Sequence, residues 1–426
     1  MKAISFDLSL TKYLLGKSLG GIAPSSTFGA LGGLRLLEVP EPVLPGPRWV
    51  RLEVVAAGIC GTDLSTLSFA GSPLLEPFAS FPAVLGHEVL AKVLEVGPDV
   101  TRVEVGQRVA VQPILSCNTR GIDPRAQCPS CRRGLPATCT QAGESGPLLI
   151  DGRPLAKGIS LGFHRDLPGG WGEFLVAHEE QLFAIPSDLD DSTGVLVEPL
   201  SVGLHAVLNS PPTPHEPVLV IGSGPIGMAT VWALRTLGFE GTLVAQAKRF
   251  KEGHLALAFG ATQVVKPGLG AREALVDTGA KAYQPLVGPE VYAGGGFPLI
   301  YDCVGSRESL DQALRFASPR GKVVLLGCAA KLRSVDLTFL WARELEVVGY
   351  MGYGMESWEG REEHTFDLVR RLLLETGAPV SRMVTHVFPL NQYQDALKAT
   401  SNRRQSGAMK VVLKPRVEVT PPPVSS

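Results

Sequence analysis

Three short segments carry side chains able to do chemistry: Cys60-Gly-Thr-Asp63, Gly86-His87-Glu88 and Val197-Glu198-Pro199. A thiolate, an imidazole and a carboxylate are zinc donors. Three protein ligands leave one position open, through which the metal can polarise a substrate oxygen. Further along, the apolar run Val218-Leu-Val-Ile221 leads into Gly222-Ser-Gly224-Pro225-Ile226-Gly227 and then into a helical stretch. A glycine turn between a strand and a helix lets the backbone approach a pyrophosphate, whose charge the helix N-terminus favours. The order predicts a metal site beside a dinucleotide site.

The chain has seven cysteines, and Cys117, Cys128, Cys131 and Cys139 crowd into one stretch. An odd count with such clustering argues for thiolates on metal rather than paired disulfides. Cys128-Pro-Ser-Cys131 is a C-x2-C turn that lets two thiolates share one face of a tetrahedron, and Cys139 is a third ligand. Cys117 is the nearest candidate for a fourth, separated from Cys128 by ten residues that include Gly121 and Pro124. Without it, three thiols would form an exposed, oxidisable cluster. Cys303 and Cys328 lie in apolar runs and read as small core residues.

An acidic residue at the end of the second nucleotide-binding strand would bind the ribose diol of NAD. Here the candidate positions are Gln246 and Ala247, followed by Lys248-Arg249. A cationic pair suits a 2′-phosphate, so the expected cofactor is NADP, with NAD possible and a solvated turn the alternative for Lys248 and Arg249.

The elements that must position these residues follow from local patterning. The first half holds β-rich runs such as Trp49 to Ala57, Ala91 to Val96 and Gln107 to Val111, and predicts a mostly antiparallel β domain. The proline-rich stretch Asn209 to Pro217 breaks regular structure. Beyond it strands and helices alternate, which predicts a parallel doubly wound sheet. Tyr283 to Phe297 reads as an inserted loop, Phe366 to Leu374 as an amphipathic helix, and Thr420 to Ser426 as a frayed tail. The expected domains are 1–207, a zinc-binding catalytic part; 208–349, the dinucleotide-binding domain; and 350–426, a return segment packing on the first.

With 426 residues and a net charge of −1, nothing argues for nucleic acid or an anionic membrane as partner. The start resembles no secretory signal and no apolar run is long enough for a bilayer, so the expected location is cytoplasmic.

From Val50 to Pro415 these motifs resemble the zinc-containing medium-chain dehydrogenase/reductase superfamily, typified by alcohol, polyol and threonine dehydrogenases. The resemblance implies an α/β fold, with a Rossmann doubly wound parallel sheet inserted in a mostly β, GroES-like catalytic domain. It implies catalytic zinc on Cys60 and His87, with Glu88 as an adjacent carboxylate able to ligate and Glu198 as the third ligand. It also implies a structural zinc on Cys117, Cys128, Cys131 and Cys139. Asp63 matches a carboxylate that holds the zinc-bound imidazole. Thr62 matches the hydroxyl that receives the substrate's proton, whereas Ser65 stands where many relatives have a relay histidine, leaving water or cofactor ribose to complete the path. Lys410 aligns with a basic residue that touches the cofactor pyrophosphate, and an edge-strand lysine is its plain alternative. The Glu198-Pro199 pair resembles polyol and sugar dehydrogenases, in a homo-oligomer of two or four chains. Taken singly, Cys60 reads as a core thiol, His87-Glu88 as a surface pair, Glu198 as a strand end, and Thr62 or Asp63 as a turn residue; their ordered occurrence together favours zinc. The competing functions are a zinc-free enone or quinone reductase, and a non-catalytic nucleotide- or zinc-binding protein.

Overall fold

The computed structural model describes residues 1–20, 24–328 and 330–416, so the expected tail from Thr420 lies outside the described residues. The chain forms two compact units: Met1–Arg132, Cys139–Leu196 and Val384–Ser426 make the first, and Arg133–Thr138 with Val197–Met383 the second.

The first unit is built on a seven-stranded sheet. Trp49–Gly58 pairs antiparallel with Glu88–Val96, Phe174–His178 and Lys410–Lys414. Val384–Pro389 runs parallel to Lys410–Lys414. The alternation seen in the sequence puts Val50, Leu52 and Val54 in a core with Leu85, Val93 and Leu175. Each such side chain contributes about 1.5–3 kcal/mol by leaving water. A second, three-stranded sheet joins Lys2–Phe6, Leu34–Glu38 and Ala83–Val84.

The second unit holds a six-stranded sheet whose neighbouring strands are all parallel. Its spatial order is Gln263–Val265, Leu243–Gln246, Val218–Ile221, Phe297–Asp302, Ala317–Leu325, Glu346–Gly349. Numbering these strands along the chain gives 3-2-1-4-5-6, the Rossmann arrangement.

The division between units differs from the expected one at both ends. The helix Val197–Asn209 packs on the helices Pro225–Thr236 and Thr365–Thr376, so it joins the nucleotide-binding unit twelve positions ahead of the proline break. The same packing keeps 350–383 in the second unit, and only the segment from Val384 returns to the first. The predicted loop at Tyr283 to Phe297 is irregular over 284–290 and 294–296, and is pinned by a short hairpin in which Lys281–Tyr283 pairs with Val291–Ala293. No described helix is long and apolar enough to cross a membrane.

Candidate functional site

Cys60 ends the turn after Trp49–Gly58 and directly precedes the helix Gly61–Leu67, whose first turn carries Thr62 and Asp63. Asp63 is fully buried and accepts the Cys60 backbone N–H through Oδ2 at 2.9 Å. Its Oδ1 lies 3.3 Å from Nδ1 of His87, whose side chain is 13% exposed. Among the described residues neither atom has another partner, so each is left to the other. Thr62 Oγ1 sits 3.6 Å from the Cys60 sulfur.

Burial alone would lower the His87 pKa. The Asp63 carboxylate and the Cys60 sulfur outweigh it and hold the imidazole well above its usual value. The environment therefore favours a positive charge at this point, whether a proton or a metal ion. With Nδ1 turned toward Asp63, Nε2 is the ring nitrogen left to ligate.

His87 is delivered by a turn at Gly86, where φ is +93°. A Cβ there would also fall 2.3 Å from the indole of Trp171, so neither space nor backbone admits another residue. Trp171 is fully buried and donates Nε1–H to the Gly58 carbonyl at 3.3 Å, packing beneath the strand end that leads to Cys60.

Glu88 is engaged elsewhere. Both its oxygens lie 2.5 Å from Nζ of Lys410, which also donates to the Ile59 carbonyl at 3.4 Å, and both side chains are 2% exposed. The residue expected to ligate metal and the residue expected to touch pyrophosphate thus satisfy each other in this structure, because a buried lysine and a buried carboxylate each need the other's charge. Glu198 belongs to the second unit, in the first turn of Val197–Asn209, where it is 8% exposed and accepts from Tyr353 Oη at 3.2 Å.

The four clustered cysteines converge. All four sulfurs lie within 4.8 Å of one another, with Cys117 to Cys139 at 3.8 Å and Cys128 to Cys139 at 4.0 Å. A tetrahedron with 2.3 Å zinc–sulfur bonds has edges of about 3.8 Å, so the donor set fits zinc. Backbone N–H groups support the sulfurs at 3.4 Å: Cys117 donates to Cys131, Cys128 to Cys117, and Cys131 to Cys128. Their acidities are mutually opposed. A hydrogen bond from Cys131 pulls the Cys139 thiol down to about 5, and the same bond pushes Cys131 up. Without a cation, one thiolate forms at the expense of its neighbour. The spacer between Cys117 and Cys128 also places Arg120 fully buried among these groups. The other two cysteines differ from expectation: Cys303 is half-buried and Cys328 is exposed, because each lies past the end of its strand.

In the second unit the glycine turn joins Val218–Ile221 to the helix Pro225–Thr236, with Gly222 at φ +101° and Gly224 as the residue before the helix. A Cβ on Gly227 would lie 1.9 Å from the Gly222 carbonyl oxygen, so the tight return of helix onto turn requires glycine. Pro225 and Ile226 open the helix. At the end of Leu243–Gln246, the Gln246 amide exchanges hydrogen bonds with Gln312 at 3.1 and 2.5 Å. Lys248 is exposed. Arg249 pairs through Nε with Glu252 at 2.9 Å, and the other Glu252 oxygen accepts from Ser223 Oγ at 2.6 Å. Glu252 links the glycine turn to Arg249. Sequence reading missed it, although the i,i+3 spacing from Arg249 was available as a signal.

Two family models match the chain: the alcohol dehydrogenase GroES-like domain over residues 46–187, and the zinc-binding dehydrogenase domain over residues 225–367. The chain belongs to the zinc-containing medium-chain dehydrogenase/reductase superfamily, and is an oxidoreductase of its zinc alcohol dehydrogenase class. L-idonate 5-dehydrogenase of Vitis vinifera is 29% identical over 385 residues, covering 89% of this chain and 92% of that protein. A putative zinc-binding dehydrogenase from Sinorhizobium meliloti 1021, solved bound to NADP, is 28% identical at a TM-score of 0.64, over 90% of this chain and 95% of that one. An alcohol dehydrogenase (rspB) of E. coli CFT073, solved with NADH, shares the fold at a TM-score of 0.70 and 23% identity, over 97% of this chain and 99% of that one.

Proposed function

We propose that this chain is a zinc-dependent, NADP-preferring dehydrogenase that interconverts a secondary alcohol of the polyol or sugar-derivative class with its carbonyl form. Cys60 and His87 hold the catalytic zinc with Glu198 as third ligand, and Cys117, Cys128, Cys131 and Cys139 hold a structural zinc. The observation that carries the reading is the Asp63–His87–Cys60 arrangement, a buried carboxylate that orients an imidazole and favours a cation beside a thiol. A zinc-free reductase has no use for it. Bound zinc supplies a Lewis acid for the substrate oxygen. Thr62, beside Cys60, takes the hydroxyl proton, and with Ser65 in place of a histidine that proton leaves through water or the cofactor ribose.

The glycine turn seats the pyrophosphate, while Lys248 and Arg249 supply positive charge for a 2′-phosphate. The NADP-bound Sinorhizobium relative and the idonate dehydrogenase of grape support the cofactor and substrate readings. The enzyme works in the cytoplasm as a homo-oligomer. Turnover of a panel of polyols and sugar acids with NADP and NAD in parallel, alongside zinc analysis, tests it. Two zinc ions per chain and faster turnover with NADP are expected. Turnover of an enone with no bound zinc would overturn the reading.

A further inference from the structure

Arg120 is chemically out of place unless the cysteine lobe carries negative charge. It lies in the ten-residue spacer between Cys117 and Cys128. A tight turn directs it inward: Arg120 and Ile122 donate their N–H groups to the Cys117 carbonyl at 3.2 and 3.0 Å, and Gly121 to Asn118 at 2.9 Å. The Arg120 carbonyl is taken by Leu148 N–H at 3.2 Å, closing the turn against the lobe.

The Arg120 side chain is fully buried. Its Nη2 donates to the Gly158 carbonyl, whereas Nε and Nη1 are buried and, among the described residues, have no hydrogen-bond partner. Among the described residues no carboxylate forms an ion pair with it, and the negative groups acting on it are the sulfurs of Cys139, Cys117 and Cys131. An arginine cannot shed its proton, and an unpaired buried charge is among the costliest features a fold can carry. Four thiolates around one zinc ion leave a net charge of about −2. One guanidinium beside them cancels half of it.

We propose that Arg120 is the internal counter-ion of a zinc–tetrathiolate, so that arginine and metal stabilise the lobe only together. The spacer that separates Cys117 from the other ligands then has a task, which is to deliver this cation. This rests on the reading of the four cysteines as a zinc site.

The test uses the full chain carrying His87→Ala, so that the lobe holds the zinc being measured. Zinc per chain, its rate of transfer to a chromogenic chelator and the melting temperature are compared for this parent and for Arg120→Met, Arg120→Gln and Arg120→Lys. The Met variant should lose zinc about tenfold faster or more, as outer-shell partners of metal sites do, with the Lys variant between it and the parent. With zinc bound, Arg120→Met should melt below the parent. After zinc is stripped the order should reverse, because the variant no longer buries an unpaired guanidinium. Arg120→Gln, which keeps a donor for Gly158 without the charge, gives the same comparisons if the Met variant does not fold. Equal zinc-transfer rates in parent and variants, or no reversal on stripping, would overturn the inference while leaving the zinc site standing. A parent that binds no zinc overturns both.

Discussion

Replacing Lys410 by methionine isolates the energetics of the pair beneath the candidate metal site. Its ammonium lies 2.5 Å from both oxygens of Glu88, at 2% exposure on each side, so the change leaves a carboxylate buried with no cation. Removing one partner of such a pair costs about 3–5 kcal/mol, far more than a surface ion pair contributes. Most of that cost is the stranded Glu88 charge, so Lys410→Met with Glu88→Gln should recover at least about half of it. Urea unfolding of the four proteins in the cycle, followed by tryptophan fluorescence, reads the result in the unit that contains Trp49 and Trp171. The Michaelis constant for NADP, measured beside it, separates a structural from a cofactor role. A Lys410 that touched pyrophosphate would raise that constant when mutated and be restored by Lys410→Arg, in the Glu88→Gln background as well. The reasoning fails if Lys410→Met costs under about 1 kcal/mol, or if the double variant is as unstable as the single one.

Asp63→Asn keeps the shape but removes the charge that orients His87, and should weaken zinc binding about 10–100-fold in a chelator competition. An unchanged affinity would show that the 3.3 Å approach has no orienting role. Arg249→Ala should lower kcat/KM for NADP about tenfold or more with little effect on NAD, since only the 2′-phosphate would use the guanidinium; equal losses with both cofactors would refute the assignment. His164 is buried, with Nε2 2.8 Å from the Ala156 carbonyl, and burial pulls its pKa from 6.5 down to about 4. The unfolded chain therefore binds the extra proton first, so the stability from neutral His164 is complete above pH 6.5 and drains away as pH falls toward 4. The full loss is about 3 kcal/mol, and His164→Gln should flatten the melting temperature between pH 7 and pH 4.5 relative to the parent.

What could be read from the chain depended on how far apart the interacting residues lie. The glycine turn and the Cys60–Asp63 helix start were legible because their geometry is local: a strand, a turn and a first helical turn are encoded within about ten residues. Cys128, Cys131 and Cys139 were legible for the same reason. Cys117 was legible as the candidate fourth ligand, though its ten-residue spacer hid how it returns to the others, and Arg120 was not legible at all, since a charged residue amid glycine and proline reads as a solvated loop until the fold closes over it. The Lys410–Glu88 pair spans 322 positions, and no periodicity announces it. The boundary at Val197 was hidden similarly: the helix Val197–Asn209 is apolar enough for either unit, and only its packing against Pro225–Thr236 and Thr365–Thr376 assigns it. The residues that were hidden are mostly buried charges, and this has a physical cause. A charge survives burial only through a partner supplied by tertiary structure. A sequence therefore announces its donors and its turns, while the counter-ions that hold those donors in place emerge only with the fold.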